Sequence, residues 1–93
     1  MAQTEQVTQK DVKSTVKDFI VKNFLFGNSS EEDAFADEDS FLENGIIDST
    51  GVLELIEFIE EQYTVKAEDD ELVPDNFDSL SNVTRYIMRK LGK

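Results

Sequence analysis

The sequence contains no histidine, no cysteine and no tryptophan, and only one of its 93 residues is proline. Without histidine there is no imidazole base to activate a serine and no imidazole metal ligand. Without cysteine there is no thiolate nucleophile, disulfide framework or thiolate zinc site. Most familiar catalytic machinery is thereby excluded, and we expect neither an enzyme nor a metal centre.

Long hydrophobic runs are also absent. The longest are triplets such as Phe24-Leu25-Phe26, whereas a membrane-spanning helix needs about 20 apolar residues. The first six residues have neither the basic nor the apolar region of a secretory signal. We therefore expect a cytoplasmic protein with no membrane partner.

Acidic side chains dominate the charge. Nine basic and 21 acidic residues give a formal net charge of −12, which disfavours binding to phosphate backbones and anionic lipid surfaces. Residues 28–78 carry 18 of the acids and a single base, Lys66. The composition predicts no nucleic acid partner, and its acidic middle predicts protein partners with basic patches.

The hydrophobic periodicity predicts a single all-α domain over residues 1–93, with a flexible tail at about 1–8. We expect a small four-helix bundle with three longer helices, one short third helix and a long loop between the first and second helices. A chain of this length buries only about 60% of its unfolded surface, which suffices for one small core.

The first helix is predicted over about 9–26, where apolar residues recur at helical spacing. Thr8 suits its N-cap, and Gly27 suits the position that ends it. Residues 28–39 are polar and acidic, and their apolar residues show no periodicity typical of a helix or a strand. They predict a long mobile loop tied to the core by Phe35.

Turn residues indicate where the second helix begins. Ser40 and Glu43 have the spacing of a capping box, which predicts one helical turn. Gly45 permits a tight turn after it, and Ile46 and Ile47 are expected to hold the chain against the core. The second helix is then predicted over about 49–62. Its core face is expected to consist of Val52, Leu55, Ile56, Ile59 and Tyr63.

Two further helices complete the predicted bundle. Residues 68–73 are sufficient for a short third helix that Pro74 ends. Asp78 or Ser79 is expected to cap the last helix. Its apolar stripe comprises Leu80, Val83, Ile87 and Leu91.

The second helix carries an acidic ridge. Glu54, Glu57 and Glu61 lie opposite its apolar face, Glu60 flanks them, and the helix contains no basic residue. A solvated polar face would account for one or two glutamates. A lysine four residues from any of the four glutamates would stabilise the helix through an ion pair, and none is present. The ridge therefore indicates a binding surface.

Ser49 is the best candidate for chemistry. At a helix start, free N–H groups and the helix dipole stabilise anions, so a phosphodiester formed on its hydroxyl would be well placed. As a free nucleophile it would lack a histidine base, and residues 47–51 lack the first glycine of a hydrolase elbow. We therefore expect Ser49 to be modified rather than catalytic.

The segment Gly45-Ile46-Ile47-Asp48-Ser49, with the acidic helix that follows, resembles the modification segment and second helix of acyl carrier proteins. The resemblance extends over about 12–91 in helix count, loop order and charge. It implies that Ser49 receives phosphopantetheine from coenzyme A through a magnesium-dependent phosphopantetheinyl transferase. The arm would then carry an acyl or aminoacyl group as a thioester and would supply the only thiol of the molecule.

The resemblance also implies roles for the neighbours of Ser49. Asp48, which otherwise suits an N-cap, would help to present Ser49 to the transferase. Leu53 lies near the edge of the core face, so it is either a partner contact or ordinary core. We expect a monomer that meets basic patches on an acyl or aminoacyl ligase and on acyl-accepting enzymes through Thr50, Leu53, Glu54, Glu57, Glu60 and Glu61.

Two positions depart from the family pattern. Thr50 stands where leucine usually follows the modified serine, and Glu57 stands where carriers of fatty acid biosynthesis tend to have an aliphatic residue. Both changes make the recognition face more polar. They predict a specialised carrier, loaded by a dedicated ligase with an amino acid or an acyl unit of secondary metabolite biosynthesis.

Interpretations from other classes remain. An acidic helical adaptor or inhibitor that docks on a basic partner would use the same glutamates and leave Ser49 as a helix cap. A calcium sensor is disfavoured because the acidic clusters at 37–39 and 69–71 lack the oxygen-ligand and glycine spacing of a helix-loop-helix site.

Overall fold

The computed structural model describes residues 8–25 and 35–92. Over these ranges the chain has no β-strand, so the predicted all-α class is confirmed there. The predicted tail before Thr8, Phe26 and Gly27 at the predicted end of the first helix, and residues 28–34 of the predicted loop lie outside the described residues. The α-helices described are α1 (Gln9–Phe24), α2 (Ser49–Tyr63), α3 (Pro74–Phe77) and α4 (Leu80–Lys90).

A polar side chain caps the start of each longer helix. Thr8, Asp48 and Ser79 each accept a hydrogen bond from the backbone N–H three residues further on, at 3.1, 2.7 and 3.1 Å. Each bond satisfies an amide that has no partner within its helix. The predicted caps Thr8 and Ser79 are therefore confirmed.

The core lies between the apolar faces of the helices, with α1 packed against α4 and α4 against α3. On α2, Leu55, Ile56 and Ile59 are buried as predicted, and Val52 and Tyr63 pack half-buried against the same core. Phe35, the predicted anchor, is also buried and lies edge-on to Phe41 with ring centroids 5.7 Å apart. The Cα radius of gyration of 12.8 Å is that of a compact domain.

The prediction that Pro74 ends a helix is wrong, because Pro74 begins α3. Proline lacks an N–H, which costs nothing at the first position of a helix, and it holds the preceding Val73 extended at φ −128° and ψ 154°. The acidic residues before it form only a 3₁₀ turn, Asp69–Glu71. The end of α1 also differs from prediction by two residues, because Leu25 is its C-cap.

The turn before α2 is tied to the segment before α4. Ser40 Oγ accepts the N–H of Glu43 at 3.1 Å and donates to Asp78 Oδ2 at 2.5 Å. The other oxygen of Asp78 accepts the N–H of Leu42 at 3.0 Å. Gly45 then turns the chain at φ 68°, as predicted from its tolerance of left-handed geometry. Asp78 thus bridges two segments and does not cap α4.

Candidate functional site

Ser49 is the first residue of α2, and it is exposed. The helix cap is Asp48, whose extended backbone lets its Oδ1 accept the N–H of Gly51 at 2.7 Å. The adaptor interpretation made Ser49 the cap, and that assignment is wrong. Within the described residues the Ser49 hydroxyl has no hydrogen-bond partner, so it needs to break no contact before it reacts.

Close packing fixes the start of α2 below Ser49. Ile47, two residues before Ser49, is 1% exposed, and Gly51, two residues after it, is also buried. A Cβ built on Gly51 would lie 2.7 Å from both Ile47 Cγ2 and Phe24 Cε1. Such contacts are shorter than real Cβ atoms show, so glycine lets the helix approach its neighbours. This role was not predicted from the sequence, although a glycine in the first turn of a helix was a signal for it.

Aromatic rings support the same region from α1. Phe24 lies edge-on to Phe19, with centroids 5.9 Å apart, and Phe19 stacks on Phe58 of α2 at 4.1 Å. Aromatic pairs of this kind stabilise by about 0.5–1.5 kcal/mol beyond the area that they bury. Aromatic side chains of α1 thus pack against α2 both at its start, beside Gly51, and further along it, at Phe58.

An apolar groove with a volume of about 190 Å³ opens beside Ser49. Leu53, which the sequence left as either core or contact, is 60% exposed and lines this groove, so the core alternative is wrong. The groove was not predicted from the sequence, although the apolar residues 72–73 within an acidic stretch were a signal for it. Its lining consists of Leu42, Ser49, Val52, Leu53, Ile56, Leu72, Val73, Pro74, Phe77 and Asp78.

The acidic ridge of α2 faces solvent as predicted. Thr50, Glu54, Glu57 and Glu61 are all exposed, and their spacing of four, three and four residues places them on one stripe. Among the described residues, no ion pair includes a residue of α2. The ridge is therefore available to cationic groups from outside the protein.

Glu60 differs from the rest of the ridge. It is half-buried, and its Oε2 accepts the N–H of Ala67 at 2.9 Å. This bond holds the chain that leaves α2 against the helix. Glu60 thus has a structural contact besides its predicted role in partner binding.

No helix in the described part of the chain is long and apolar enough to cross a membrane. The described residues also contain no group of three or more acidic side chains arranged to hold a metal ion.

No protein-family model matches the chain, and no curated protein matches its sequence significantly.

Proposed function

We propose that the protein carries acyl or aminoacyl groups as thioesters on a phosphopantetheine arm attached to Ser49. The observation that carries this proposal is an exposed serine hydroxyl at the start of an acidic helix, directly beside an apolar groove. The resemblance of residues 45–61 to the modification segment of acyl carrier proteins supports the same conclusion. The protein itself would catalyse no step.

Attachment of the arm would join Ser49 Oγ to the phosphorus that bears the pantetheine of coenzyme A. The P–O bond to the nucleotide portion would break, and the adenosine bisphosphate would leave. The serine proton would pass to a general base; this chain has no histidine for that role, and we propose that the transferase supplies the base. The new phosphodiester anion would then lie at the start of α2, where the helix dipole favours it by about 0.3–1 kcal/mol.

The groove would accommodate the apolar part of the cargo. Val52 and Leu53 line it on the α2 side, and Leu72 and Val73 line it on the opposite side. Each buried methylene contributes about 0.8 kcal/mol. A short acyl chain would therefore gain from lying in the groove without being held so firmly that partner enzymes could not withdraw it.

The acidic ridge would bring partner enzymes to Ser49. Glu54, Glu57 and Glu61 present uncompensated negative charge on the helix that begins with the modified residue. Complementary charge on a ligase or an acyl acceptor raises the rate of encounter, and salt screens this attraction within about 10 Å. Leu53 would add an apolar contact beside the ridge.

The polar residues at positions 50 and 57 favour a specialised carrier. Thr50 and Glu57 are exposed on the same stripe, so the face next to Ser49 is more polar than is usual in carriers of fatty acid synthesis. We propose an amino acid or a secondary-metabolite acyl unit as the cargo, loaded by a dedicated ligase. Elongation of the loaded protein by general fatty acid enzymes, at the rate of their own carrier, would contradict this assignment.

The proposed modification is tested by intact-mass measurement after incubation with a broad-specificity phosphopantetheinyl transferase, Mg²⁺ and coenzyme A. We expect the mass of one phosphopantetheinyl group on the wild type and on Ser14→Ala, a control at an exposed serine of α1. We expect no addition to Ser49→Ala. A wild type that stays unmodified would contradict the proposal and favour the adaptor.

A further inference from the structure

A cluster of polar contacts lies behind the outer wall of the groove. Glu71 ends the 3₁₀ turn and directly precedes Leu72 and Val73, the two wall residues. Its carboxylate accepts a hydrogen bond from the Tyr86 hydroxyl at 2.8 Å and two from Lys90 Nζ at 3.0 and 3.2 Å. We refer to Glu71, Tyr86 and Lys90 as the Glu71 clamp. The proposed attachment chemistry uses none of them.

The same residue organises the chain on both sides of it. The Glu71 carboxylate also accepts the N–H of Glu68 at 2.9 Å, which closes the 3₁₀ turn. Its backbone carbonyl accepts the N–H of Val73 at 2.9 Å and the side-chain amide of Asn76 at 2.8 Å. Glu71 therefore connects the turn, the wall residues and α3 to α4.

Tyr86 links the clamp to the floor of the groove. Its ring is 1% exposed and packs against Phe77 with centroids 4.7 Å apart, and Phe77 lines the groove. Leu72 and Val73, in contrast, are 43% and 40% exposed. Burial alone thus holds the outer wall weakly, and polar contacts connect this segment to α4: those of Glu71 with Tyr86 and Lys90, and the bond from Arg89 to Asn76 Oδ1 at 3.3 Å.

The electrostatics keep Glu71 ionised and the Tyr86 hydroxyl protonated at neutral pH. Hydrogen bonds from the Glu68 N–H, then from Tyr86 and Lys90, lower the pKa of Glu71 to about 2. Burial, followed by the bond to Glu71, raises the pKa of Tyr86. Under ordinary conditions Glu71 therefore accepts and Tyr86 donates, as the geometry requires.

We propose that the Glu71 clamp positions the outer wall of the groove and so determines how well an acyl chain on the arm is shielded from water. This inference rests on the proposed carrier function. Glu71 does not line the groove and would not touch the cargo, so it acts through Leu72 and Val73 as a positioning residue. Loss of the clamp should expose long acyl chains and leave short ones, which barely enter the groove, unaffected.

The test compares cleavage of acetyl and octanoyl thioesters by hydroxylamine after the transferase has loaded them from the acyl-coenzyme A. Because the longer chain buries methylenes in the groove, in the wild type we expect the octanoyl thioester to react about fivefold more slowly than the acetyl thioester. In Glu71→Gln and Tyr86→Phe the two rates should become nearly equal. Asp70→Asn, an exposed charge change in the same turn, should keep the wild-type ratio.

Two results would overturn the inference: a wild-type ratio that persists in both folded clamp variants, or equal cleavage of the two thioesters in the wild type. Circular dichroism verifies that each variant is folded. Tyr86→Phe removes a single hydroxyl and retains the ring on Phe77, so it remains informative even if Glu71→Gln fails to fold.

Hydrogen exchange on the unmodified protein separates failure of the clamp from failure of the carrier function. The backbone amides of residues 72, 73 and 75–77 should exchange about fivefold faster in both clamp variants, while those of α1 stay unchanged. If the transferase does not modify the wild type, the proposed carrier function is wrong. Hydrogen exchange of the unmodified protein still shows whether the Glu71 clamp holds the outer wall in place. Unchanged exchange at 72–77 would overturn the clamp.

Discussion

At Gly51, the addition of a single methyl group should disturb the site. Alanine ordinarily favours a helix by about 1 kcal/mol over glycine, but here its Cβ would meet Ile47 and Phe24 at 2.7 Å. We expect Gly51→Ala to lower the free energy of unfolding by about 1–3 kcal/mol, measured by urea denaturation. Ser14→Ala, on the exposed side of α1, should change it by less than about 0.5 kcal/mol. A Gly51 variant as stable as the wild type would contradict the packing.

Asp48 has a capping role and a proposed presenting role, and two substitutions distinguish them. Asp48→Ala removes the oxygen that accepts the Gly51 N–H, so we expect a loss of about 1 kcal/mol in unfolding free energy. Asp48→Asn retains a carbonyl oxygen for the cap and removes only the charge. The unfolding free energy of this variant should stay within about 0.5 kcal/mol of the wild-type value. The transferase should nevertheless modify it more slowly than the wild type. Equal modification rates would leave Asp48 as a cap alone.

Residue-scale features were predictable only where the signal is local. Thr8 and Ser79 were identifiable as caps because a cap depends on the next three residues. Leu53 lies at the edge of the helical face, so only the position of neighbouring segments decides that it is exposed. Gly51 was missed for the same reason, since Phe24 approaches it from another helix.

At the scale of elements, α2 should direct partner enzymes through its charge. We compare the neutral triple variant Glu54→Gln, Glu57→Gln and Glu61→Gln with a control of equal charge change outside α2, at Glu38→Gln, Asp69→Asn and Asp70→Asn. All six side chains are exposed. The α2 variant should lose most of its transferase kcat/KM at low salt and also lose the dependence of that rate on salt. Equal losses in the two variants would show that net charge alone matters.

The stabilisation that Glu71 provides by connecting the 3₁₀ turn to α4 should depend on pH. Because the folded state lowers the pKa of Glu71 from 4.5 to about 2, its stabilising contribution is present above about pH 4.5 and is lost as the pH falls through about 2. Lys90 and Tyr86 face this carboxylate from α4, and Glu68 faces it from its own turn through its backbone N–H.

Urea denaturation at about pH 6 and about pH 2 measures this contribution. Glu71→Gln should be less stable than the wild type at the higher pH, and the difference should shrink at the lower pH, where the wild-type carboxyl begins to be protonated. A difference that grows on acidification would contradict the assignment of the low pKa to Glu71.

Long-range contacts explain which elements the sequence did not predict. α2 and α4 follow from periodicity and caps, and their starts agree with prediction. Pro74 carries the same local signal whether it ends one helix or begins the next, and the segments packed around it decide between the two. The Glu71 clamp joins residues 15 and 19 positions apart, so no local pattern reveals it. The groove next to Ser49 depends on that same connection.

At the scale of the whole molecule, the charge is distributed unequally. Residues 28–78 hold 18 acids and one base, whereas the two ends hold eight bases and three acids. Among the described residues, two ion pairs connect the ends to the middle, Lys13 with Asp37 at 2.7 Å and Lys90 with Glu71 at 3.0 Å. Both are partly solvent-exposed, so they compensate little of the repulsion within the acidic segment.

Moderate salt should therefore stabilise the fold. Raising the ionic strength from about 10 mM to about 200 mM shortens the screening length from about 30 Å to less than 10 Å, which weakens repulsion along the acidic segment. We expect the melting temperature to rise over this range, measured by circular dichroism. A melting temperature that is constant or falls would show that attractive pairs balance the acidic charge.

The most direct test of the carrier account is the chemical state of Ser49 in protein isolated from the cells that make it. Mass spectrometry of the peptide that contains Ser49 should find a phosphopantetheine arm on that residue, and part of the population should carry an acyl or aminoacyl group on its thiol. A Ser49 that is unmodified throughout the isolated protein would contradict the account.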